Sequence, residues 1–243
     1  HLLSSSLFFY NVIYKPYQFR PLLKYIENSR NRILIADETG LGKTIEAAYI
    51  IINEIYQSQS KRILIVCPAS LREKWKHELW NRFGLPFDIV SSYELFSRIM
   101  NDDFEFYYIV SQDSGRKKEL SDILNCLPEN MIDLLIIDEI HNLIGRSGET
   151  IRRTFGQNLS LISKGVVGLS ATPIQIDLMD FNRIFDIVDP EMISQSNFNS
   201  FMETNNLLIK FSTLLEKKSL TLDDKKTLVY YLNRYEESML DFG

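Results

Sequence analysis

Residues 32–44 read Arg-Ile-Leu-Ile-Ala-Asp-Glu-Thr-Gly-Leu-Gly-Lys-Thr, an apolar run followed by a glycine-containing turn and a Lys-Thr pair. The run at residues 33–36 predicts a buried strand, and apolar residues at helical spacing over residues 44–56 predict a helix after the turn. In the turn, Gly40 and Gly42 let the backbone approach an anion closely, and amides at the helix N-terminus point toward it. The stretch therefore predicts a strand, a phosphate-binding loop and a helix.

The loop also carries side chains suited to nucleotide chemistry. Lys43 would reach the β- and γ-phosphates of a bound nucleotide, and the Thr44 hydroxyl would ligate Mg²⁺. The strict pattern of such a loop begins with glycine at position 37, where this chain has Asp37. From these residues alone, a strand–helix turn that contains Gly-Lys-Thr by chance stays open as an alternative.

Four more apolar runs have the length of buried strands. They occupy residues 63–67, 107–111, 134–137 and 166–170, with helical patterns between several of them. Continuous apolarity without alternation is typical of strands that helices cover on both faces of a parallel sheet. The pattern predicts an α/β domain with a mostly parallel sheet covered by helices, in which ligands bind at the carboxyl ends of the strands.

Chemically active side chains follow two of these runs. Asp138 and Glu139 come directly after residues 134–137, where Asp138 could hold Mg²⁺ and Glu139 could polarise an attacking water as general base. Ser170 and Thr172 follow the last strand and could hydrogen-bond the Asp-Glu turn and report the nucleotide state. A strand that ends in a solvated Asp-Glu turn is the alternative, and Ser-Ala-Thr alone means little.

Composition excludes several classes of protein. Hydrophobic residues make up 45% of the 243 residues, enough apolar material to exclude intrinsic disorder as the main state. Two cysteines cannot form a disulfide framework, and such sparse use fits a reducing cytosol. No uncharged apolar run reaches the roughly 18–20 residues that a membrane span needs. Because the sequence begins with His1 and not Met, we expect a fragment of a longer polypeptide.

The net charge of −5 argues against bulk attraction to nucleic acid, so any such contact would need a local groove. Basic residues between positions 61 and 82 form one candidate groove, with a solvated helix face as the alternative: Lys61, Arg62, Arg72, Lys74, Lys76 and Arg82. The same region predicts a helix over residues 71–83, begun by a capping box of Ser70 and Glu73.

Aromatic and metal-binding residue types offer no separate site. We expect Trp75, Trp80 and the cluster at residues 93–96 to belong to the core and not to a base-stacking surface. The spacing of histidines and cysteines supports no zinc site.

The character of the sequence changes after Pro190. Residues 191–243 contain no apolar strand run, but they carry apolar residues at helical spacing and a capped helix start at Thr221 and Asp224. We therefore expect an α/β domain over residues 1–190 and a small C-terminal helical appendage over residues 191–243.

Together the motifs resemble a family of motor ATPases. The segments are Pro16-Tyr-Gln18, Asp37-Glu-Thr-Gly-Leu-Gly-Lys-Thr44, the DEIH box Asp138-Glu-Ile-His141, and Ser170-Ala-Thr172. Their order and spacing resemble the first RecA-like lobe of the Swi/Snf-type ATPases of helicase superfamily two, over about residues 12–190. That family's own loop begins with Asp-Glu, so Asp37 fits it. Residues 36–47 look like the bacterial RNA-polymerase-associated (HepA-like) branch, and the tail resembles its helical insertion between lobes.

The resemblance implies a RecA-like P-loop domain that binds ATP and Mg²⁺, with a role for each matching residue. Glu139 and Lys43 would be catalytic, Thr44 and Asp138 would hold the metal, and Ser170 and Thr172 would couple the site to nucleotide state. Gln18 would recognise adenine, and the nucleotide would also contact the loop residues Thr39, Gly40, Leu41, Gly42, Lys43 and Thr44.

The resemblance further implies contacts between the lobe and the nucleic-acid backbone. Ser70, after the second predicted strand, and Ser111, at the end of the third, would each contact a phosphate. An ordinary helix cap stays open as the role of Ser70, and an ordinary surface position stays open for Gln18.

The implied activity is an ATP-driven translocase on double-stranded DNA that remodels protein–nucleic acid complexes. Double-stranded DNA would bind both lobes of the full-length protein, and RNA polymerase or another DNA-bound complex is a further implied partner. We expect no membrane association, a monomeric fragment, and a bacterial cytoplasmic, nucleoid-associated location, or a nuclear one in a eukaryote. Nothing after residue 190 resembles the second lobe with its arginine finger, so this piece alone should be a nearly inactive ATP hydrolase.

Two other classes of function remain open at this stage. One is a P-loop NTPase that does not act on nucleic acid, and the other is a degenerate motor lobe used as a protein-binding module. Gln18 and the Ser-Ala-Thr segment favour the motor over a simple NTPase, which needs neither. Lys43, Thr44, Asp138 and Glu139 are all present, which argues against decay.

Overall fold

The computed structural model describes residues 15–36, 40–100, 105–116, 124, 127–144, 151–171 and 178–191, together with residues 221, 224, 226, 227 and 230. The chain divides into two units, His1–Asp189 and Pro190–Gly243, and each is described by itself. The first unit carries every candidate site residue.

A single parallel sheet forms the centre of the first unit. Its described strands are β1 (Arg32–Ile35), β2 (Arg62–Cys67), β3 (Asp88–Ile89), β4 (Phe106–Ser111), β5 (Ile132–Ile137) and β6 (Ser163–Leu169), in the spatial order β1-β6-β5-β2-β4-β3. Every pair of neighbours is parallel. The α/β class and the five predicted strands are confirmed, with bounds that shift by a few residues. The short β3 was not predicted because two residues give no periodic signal.

Helices cover this sheet. Those described are α1 (Arg20–Glu27), α2 (Lys43–Gln57), α3 (Arg72–Phe83), α4 (Ser92–Met100), α5 (Ile151–Leu161) and α6 (Leu178–Val188). Short 3₁₀ helices span Pro16–Phe19, Ala69–Leu71, Gln112–Arg116 and Ile140–Asn142. Across the ranges that the structure describes, no helix is both long enough and apolar enough to cross a lipid bilayer.

Two hydrophobic clusters lie on opposite faces of the sheet. One joins the sheet to α1, α2 and α3, and the other joins it to α4, α5 and α6. Alternate residues of β2 enter different clusters: Ile63 and Ile65 enter the first, and Leu64 and Val66 enter the second. Because side chains alternate across a strand and both faces are covered, every position of such a strand is apolar, as the sequence shows.

The predicted capping box at Ser70 is wrong. Ala69–Leu71 form a 3₁₀ turn in which the Leu71 amide donates to the Pro68 carbonyl at 2.9 Å, and α3 begins at Arg72 without a side-chain cap. The tight turn takes the place that the cap would need, and Ser70 is exposed. A reciprocal box of the same type does begin α4, where the Ser91 amide donates to Glu94 Oε2 at 2.7 Å. The Glu94 amide donates to Ser91 Oγ at 3.2 Å.

The expectation that the aromatic residues are core residues holds only in part. Trp75 of α3 is 2% exposed and belongs to the hydrophobic cluster that includes residues of α1 and α2. Trp80 is 59% exposed and Tyr93 is 78% exposed, so neither belongs to the core. Trp80 falls outside the apolar stripe of α3 that Trp75, Leu79 and Phe83 form, and helical periodicity puts it on the solvent side.

The basic residues between positions 61 and 82 do not form one groove. Lys61 contacts Glu105 and Arg62 contacts Asp133, both at the amino end of β2. Lys76 contacts Asp88 at 3.3 Å on the surface of α3. The pairs of Lys61 and Lys76 are exposed, as on a solvated face, which was the alternative to a nucleic-acid groove, whereas the pair of Arg62 with Asp133 is largely buried.

Few residues of the second unit are described. The Thr221 amide donates to Asp224 Oδ2 at 3.0 Å, and the Asp224 amide donates to Thr221 Oγ1 at 3.2 Å. These bonds confirm the helix cap predicted at Thr221. The rest of the predicted helical appendage lies outside the described residues.

Candidate nucleotide-binding site

Strand register brings the predicted site residues to one edge of the sheet. Ile35 of β1 pairs with Leu169 of β6, and Ile137 of β5 pairs with Gly168 of β6. The carboxyl ends of β1, β6 and β5 therefore lie side by side. The phosphate-binding loop follows β1, Ser170 follows β6 and Asp138 follows β5. The Ser170 amide donates to the Ile35 carbonyl at 3.0 Å and closes this edge.

The loop after β1 has the backbone geometry of an anion-binding turn. Gly40 and Gly42 have φ angles of 91° and 103°, in the left-handed region that glycine adopts without strain. A Cβ atom on residue 42 would overlap with the side-chain amide of Gln18. Lys43 begins α2, so it and Thr44 occupy the first turn of that helix, and helix N-termini are positions at which proteins bind anions. Thr39, with Asp37 and Glu38, lies outside the described residues.

Gln18 packs against this loop from the 3₁₀ turn Pro16–Phe19. Its side chain is 2% exposed, and its Nε2 donates to the Leu41 carbonyl at 3.0 Å. The Tyr17 hydroxyl donates to the same carbonyl at 3.3 Å. Gln18 Oε1 is buried and has no hydrogen-bond partner among the described residues. Because buried polar atoms are nearly always satisfied, this oxygen fits an acceptor for a ligand amine such as that of adenine.

Asp138 is the buried carboxylate of the site. It is 8% exposed; its Oδ2 accepts from Trp75 Nε1 at 2.8 Å and its Oδ1 accepts from the Glu139 amide at 2.9 Å. Burial raises the pKa of Asp138, and the Glu139 charge adds to this effect. The Trp75 hydrogen bond and the Lys43 charge oppose the increase in pKa because they favour the ionised form.

Glu139 has an uncommon backbone conformation for a residue that is not glycine. Its φ and ψ are both 48°, in the left-handed region, and its carbonyl accepts from the Asn142 amide at 2.9 Å. Such conformations cost about 1–3 kcal/mol and persist where surrounding contacts impose them. The side-chain amide of Gln112 supplies such contacts, since its Nε2 donates to the Asp138 carbonyl and to the Glu139 carbonyl, the latter at 3.3 Å.

The DEIH turn contacts the strand that carries Ser170. His141 Nδ1 lies 3.3 Å from Ser170 Oγ and 3.5 Å from Glu139 Oε2. Ser170 itself is fully buried. Ser170 contacts His141, and His141 contacts Glu139, the residue predicted to act as base. These contacts connect the end of β6 to Glu139. Thr172, the other predicted coupling residue, lies outside the described residues.

The two serines predicted to contact nucleic acid lie near the same edge of the sheet. Ser111 ends β4 and pairs in register with Cys67, which ends β2 and precedes Ser70. Ser70 is exposed, and Ser111 Oγ accepts from the Asp113 amide at 3.1 Å. In the sheet, β2 is next to β5 and β4 is next to β2, so both strand ends lie on the side of β5 that is away from β1.

Thr44 and Asp138 supply the hydroxyl and carboxylate oxygens that suit Mg²⁺. Across the described residues, no three His, Cys, Asp or Glu side chains cluster as a metal site. A site with one carboxylate fits Mg²⁺ well, because that ion keeps several waters and completes its shell with substrate phosphates.

Two residues at the site, Trp75 and Gln112, were not assigned to it from the sequence. Trp75 was expected in the core, where it does lie, but its indole also reaches a carboxylate 63 positions away. Gln112 follows Ser111 and is only 4% exposed, and this burial of a polar side chain identifies it as part of the site. A polar residue directly after a buried strand at the functional edge of the sheet was the available signal.

The fold and the site define a class. A parallel sheet that gathers a Gly-Leu-Gly-Lys-Thr loop, an Asp-Glu turn and a serine at adjacent carboxyl ends is a RecA-like P-loop domain. The chain belongs to the family of SNF2-related domains, whose family model matches residues 19–235. The resemblance stated from the motifs is thereby confirmed.

Several proteins are similar in sequence. RNA polymerase-associated protein RapA of Yersinia pseudotuberculosis (serotype O:1b) is 30% identical over an alignment of 226 residues, and the match covers 88% of this chain and 22% of that protein. RapA of Yersinia enterocolitica has the same identity and coverage. The chain therefore spans 22% of the length of these relatives.

Solved structures of SWI2/SNF2 proteins share the fold. The Sulfolobus solfataricus SWI2/SNF2 ATPase core in complex with dsDNA has a TM-score of 0.60 and 16% identity, covering 94% of this chain and 58% of that one. The S. solfataricus SWI2/SNF2 ATPase core domain has a TM-score of 0.60 and 22% identity, covering 93% and 43%. Both agree with the RecA-like architecture.

Proposed function

We propose that this chain is the ATP-binding lobe of a Swi/Snf-type, DNA-dependent ATPase that translocates on duplex DNA and remodels protein–nucleic acid complexes. The observation that carries the proposal is the alignment of three strand ends, which brings the Lys43–Thr44 loop, the Asp138–Glu139 turn and Ser170 together. Membership of the SNF2-related family supports it.

In this proposal the chain binds the nucleotide through the loop after β1. The amides of the first turn of α2 and the Lys43 ammonium hold the phosphates, and Gly40, Leu41 and Gly42 form the backbone around them. Thr39, which lies outside the described residues, would also contact the nucleotide. Gln18 accepts from the adenine amine through the buried Oε1, which makes the site selective for ATP.

Thr44 and Asp138 would hold Mg²⁺, which neutralises charge that develops on the phosphates. Glu139 orients the attacking water and accepts its proton. Its carboxylate lies beside His141, which in turn contacts Ser170. Ser170 and Thr172 would pass the state of the phosphates to the rest of the lobe through this contact.

Nucleic acid would bind along the strand ends of β2 and β4. Ser70 is exposed and free of a capping role, and Ser111 lies at the same edge. The overall charge of −5 supports a limited set of phosphate contacts on this lobe and not a broad basic surface. The dsDNA bound by the S. solfataricus core and the RNA polymerase association of RapA support duplex DNA and a DNA-bound polymerase as partners.

The proposal includes a second lobe that this chain does not contain. The chain spans 22% of the RapA relatives, and the arginine that completes such sites comes from the other lobe. Residues 191–243 would form a helical appendage or the start of an insertion between the lobes. The bacterial relatives support a location in the bacterial cytoplasm, at the nucleoid.

Steady-state ATP turnover of the complete polypeptide, with and without duplex DNA, tests the proposal. Stimulation by duplex DNA is the expected result. A rate of ATP turnover that does not change with duplex DNA would indicate a P-loop NTPase that does not act on nucleic acid. The absence of turnover, together with retained partner binding, would indicate a protein-binding module. Single-stranded DNA and a heparin polyanion serve as controls for non-specific charge effects.

A further inference from the structure

Two buried side chains hold the Asp138–Glu139 turn from outside the nucleotide-binding loop. Trp75 is 2% exposed, and its indole N–H donates to Asp138 Oδ2 at 2.8 Å. Gln112 is 4% exposed, and its amide donates to the carbonyls of Asp138 and Glu139. One contact fixes the carboxylate that would hold the metal, and the other fixes the backbone of the residue that would act as base.

The Gln112 contact bears directly on the orientation of Glu139. A glutamate in the left-handed region returns to an extended or helical conformation unless its neighbours prevent it. Gln112 donates to the carbonyl that precedes Glu139, which is that of Asp138, and to the carbonyl of Glu139 itself. The Glu139 amide is itself held by Asp138 Oδ1 at 2.9 Å. These bonds together define the direction in which the Glu139 side chain leaves the backbone.

Both side chains come from the segments that carry the candidate nucleic-acid contacts. Gln112 follows Ser111 and begins the 3₁₀ helix Gln112–Arg116. Trp75 lies in the first turns of α3, the helix that follows the Ala69–Leu71 turn containing Ser70. Ser70 and Ser111 are therefore close in sequence to the two residues, Trp75 and Gln112, that hydrogen-bond the Asp138–Glu139 turn.

We propose that Trp75 and Gln112 are positioning residues that connect the two nucleic-acid-facing segments to the Asp138–Glu139 turn, so that DNA bound at those segments sets the geometry for hydrolysis. This inference rests on the proposed function. Small displacements are sufficient, because a misplacement of about 1 Å in a catalytic group costs on the order of 100-fold in rate. The hydrogen bonds from Trp75 and Gln112 to Asp138 are buried, and rigid packing transmits such displacements.

The test uses variants that remove the hydrogen-bond donor and keep an apolar side chain in its place. Trp75→Phe removes the indole N–H, and Gln112→Met removes the amide. The matched controls are Trp80→Phe on the exposed side of the same helix, and Gln157→Met on α5, where Gln157 contacts Asp186 at 2.6 Å. For each protein we would measure the affinity for a fluorescent ATP analogue with Mg²⁺, the affinity for duplex DNA, and kcat with saturating DNA and without DNA.

We expect each of the two variants to lower the DNA-stimulated kcat about tenfold or more, with affinities for nucleotide and DNA within about threefold of wild type. The ratio of kcat with DNA to kcat without DNA should fall, which a merely structural role would not produce. The controls should keep wild-type values. The double variant should lose less than the product of the single effects, because both residues act on one turn.

A DNA-stimulated kcat within twofold of wild type in both variants would overturn the inference. So would equal losses with and without DNA, or losses that follow reduced nucleotide affinity or thermal stability, since these indicate a structural role. A wild-type protein that hydrolyses ATP without any response to duplex DNA would instead contradict the proposed function, and that result is visible before any variant is made.

Discussion

Gly42, Lys43 and Glu139 show how the site depends on single residues. Gly42 combines a φ of 103° with close contact to Gln18, so a side chain at this position would be strained and would also clash. Lys43 follows at the start of α2, and its charge favours the ionised form of Asp138. Glu139 is held in a left-handed conformation that brings it next to His141.

Lys43→Ala should lower the affinity for Mg-ATP about 10- to 100-fold, because it removes a charge from a site otherwise built of neutral amides. Titration of the 243-residue chain with a fluorescent ATP analogue measures this. Lys24→Ala is the control, since Lys24 is exposed on α1 and pairs with the surface residue Glu27. An affinity within twofold of wild type would show that the loop does not bind phosphate.

Glu139→Gln should keep the affinity for Mg-ATP and lower kcat of the complete polypeptide by about 10²–10⁴. The amide keeps the shape of the side chain but cannot accept a proton. The exposed Glu129→Gln serves as control, and single-turnover measurement separates chemistry from product release. Normal hydrolysis by Glu139→Gln would reduce Glu139 to a turn residue.

At the scale of elements, the two edges of the sheet have different roles. The carboxyl ends of β1, β6 and β5 bring together the candidate nucleotide-binding residues, whereas the amino ends carry hydrogen bonds and ion pairs that connect neighbouring strands. Asp133 at the start of β5 accepts from the amides of Lys61 and Arg62 at 3.0 Å. It also accepts from Arg62 Nη2 at 3.1 Å and from Lys164 Nζ at 2.9 Å, so one carboxylate connects β5 to both of its neighbours.

Asp133→Asn should lower the free energy of unfolding by about 1.5–3 kcal/mol at neutral pH, as loss of hydrogen bonds to a charged group does. Burial raises the pKa of Asp133, but the hydrogen bonds from Arg62, Lys164 and the two amides outweigh it and bring the pKa to about 2. The stabilisation is therefore present above the unfolded-state pKa of about 3.9 and is lost as the pH falls toward 2.

Urea denaturation at pH 7 and again at about pH 2.5 measures this difference. The gap in stability between wild type and Asp133→Asn should shrink at the lower pH. Asp88→Asn is the control, because Asp88 makes one exposed ion pair with Lys76, and such pairs contribute about 0–1 kcal/mol. Equal stability of Asp133→Asn and wild type at pH 7 would contradict the role of this residue.

At the scale of the whole molecule, the described part of the first unit contains a six-stranded sheet and two hydrophobic clusters, one on each face. We therefore expect this unit to fold around its own core. Its site, in contrast, opens at one edge of the sheet, and the proposed motor places the second half of the catalytic group on another lobe. Folding and catalysis should consequently separate when this chain is studied alone.

The 243-residue chain should bind Mg-ATP but hydrolyse it about 10³- to 10⁵-fold more slowly than the DNA-stimulated complete polypeptide, since the proposed motor has its arginine finger on the second lobe. Its affinity for duplex DNA should be weak and fall steeply with salt. Turnover with and without duplex DNA at low salt is the measurement, with the Glu139→Gln chain as background. Rapid, DNA-stimulated turnover by this chain would mean that it supplies the missing arginine itself.

Local patterns were sufficient to predict much of this protein. Apolar runs predicted the strands β1, β2, β4, β5 and β6, because a strand buried on both faces needs apolar residues at every position. The Gly-Leu-Gly-Lys-Thr segment predicted the anion-binding turn, because left-handed glycines and helix amides are properties of neighbouring residues. The family followed from the order and spacing of four motifs, and membership is now shown.

Only the tertiary structure decided which side chains hold the catalytic turn. Trp75 and Asp138 are 63 positions apart, and Gln112 and Asp138 are 26 apart, so no periodic or local pattern connects them. Ser70 satisfied the pattern of a helix cap, yet a 3₁₀ turn replaced it, and Ser91 used the same pattern successfully. Pairing of β2 with β4 and β5, not the composition of any segment, determines which strand ends meet. The strand register depends on the packing of the whole sheet, and that register determines the geometry of the candidate nucleotide-binding site.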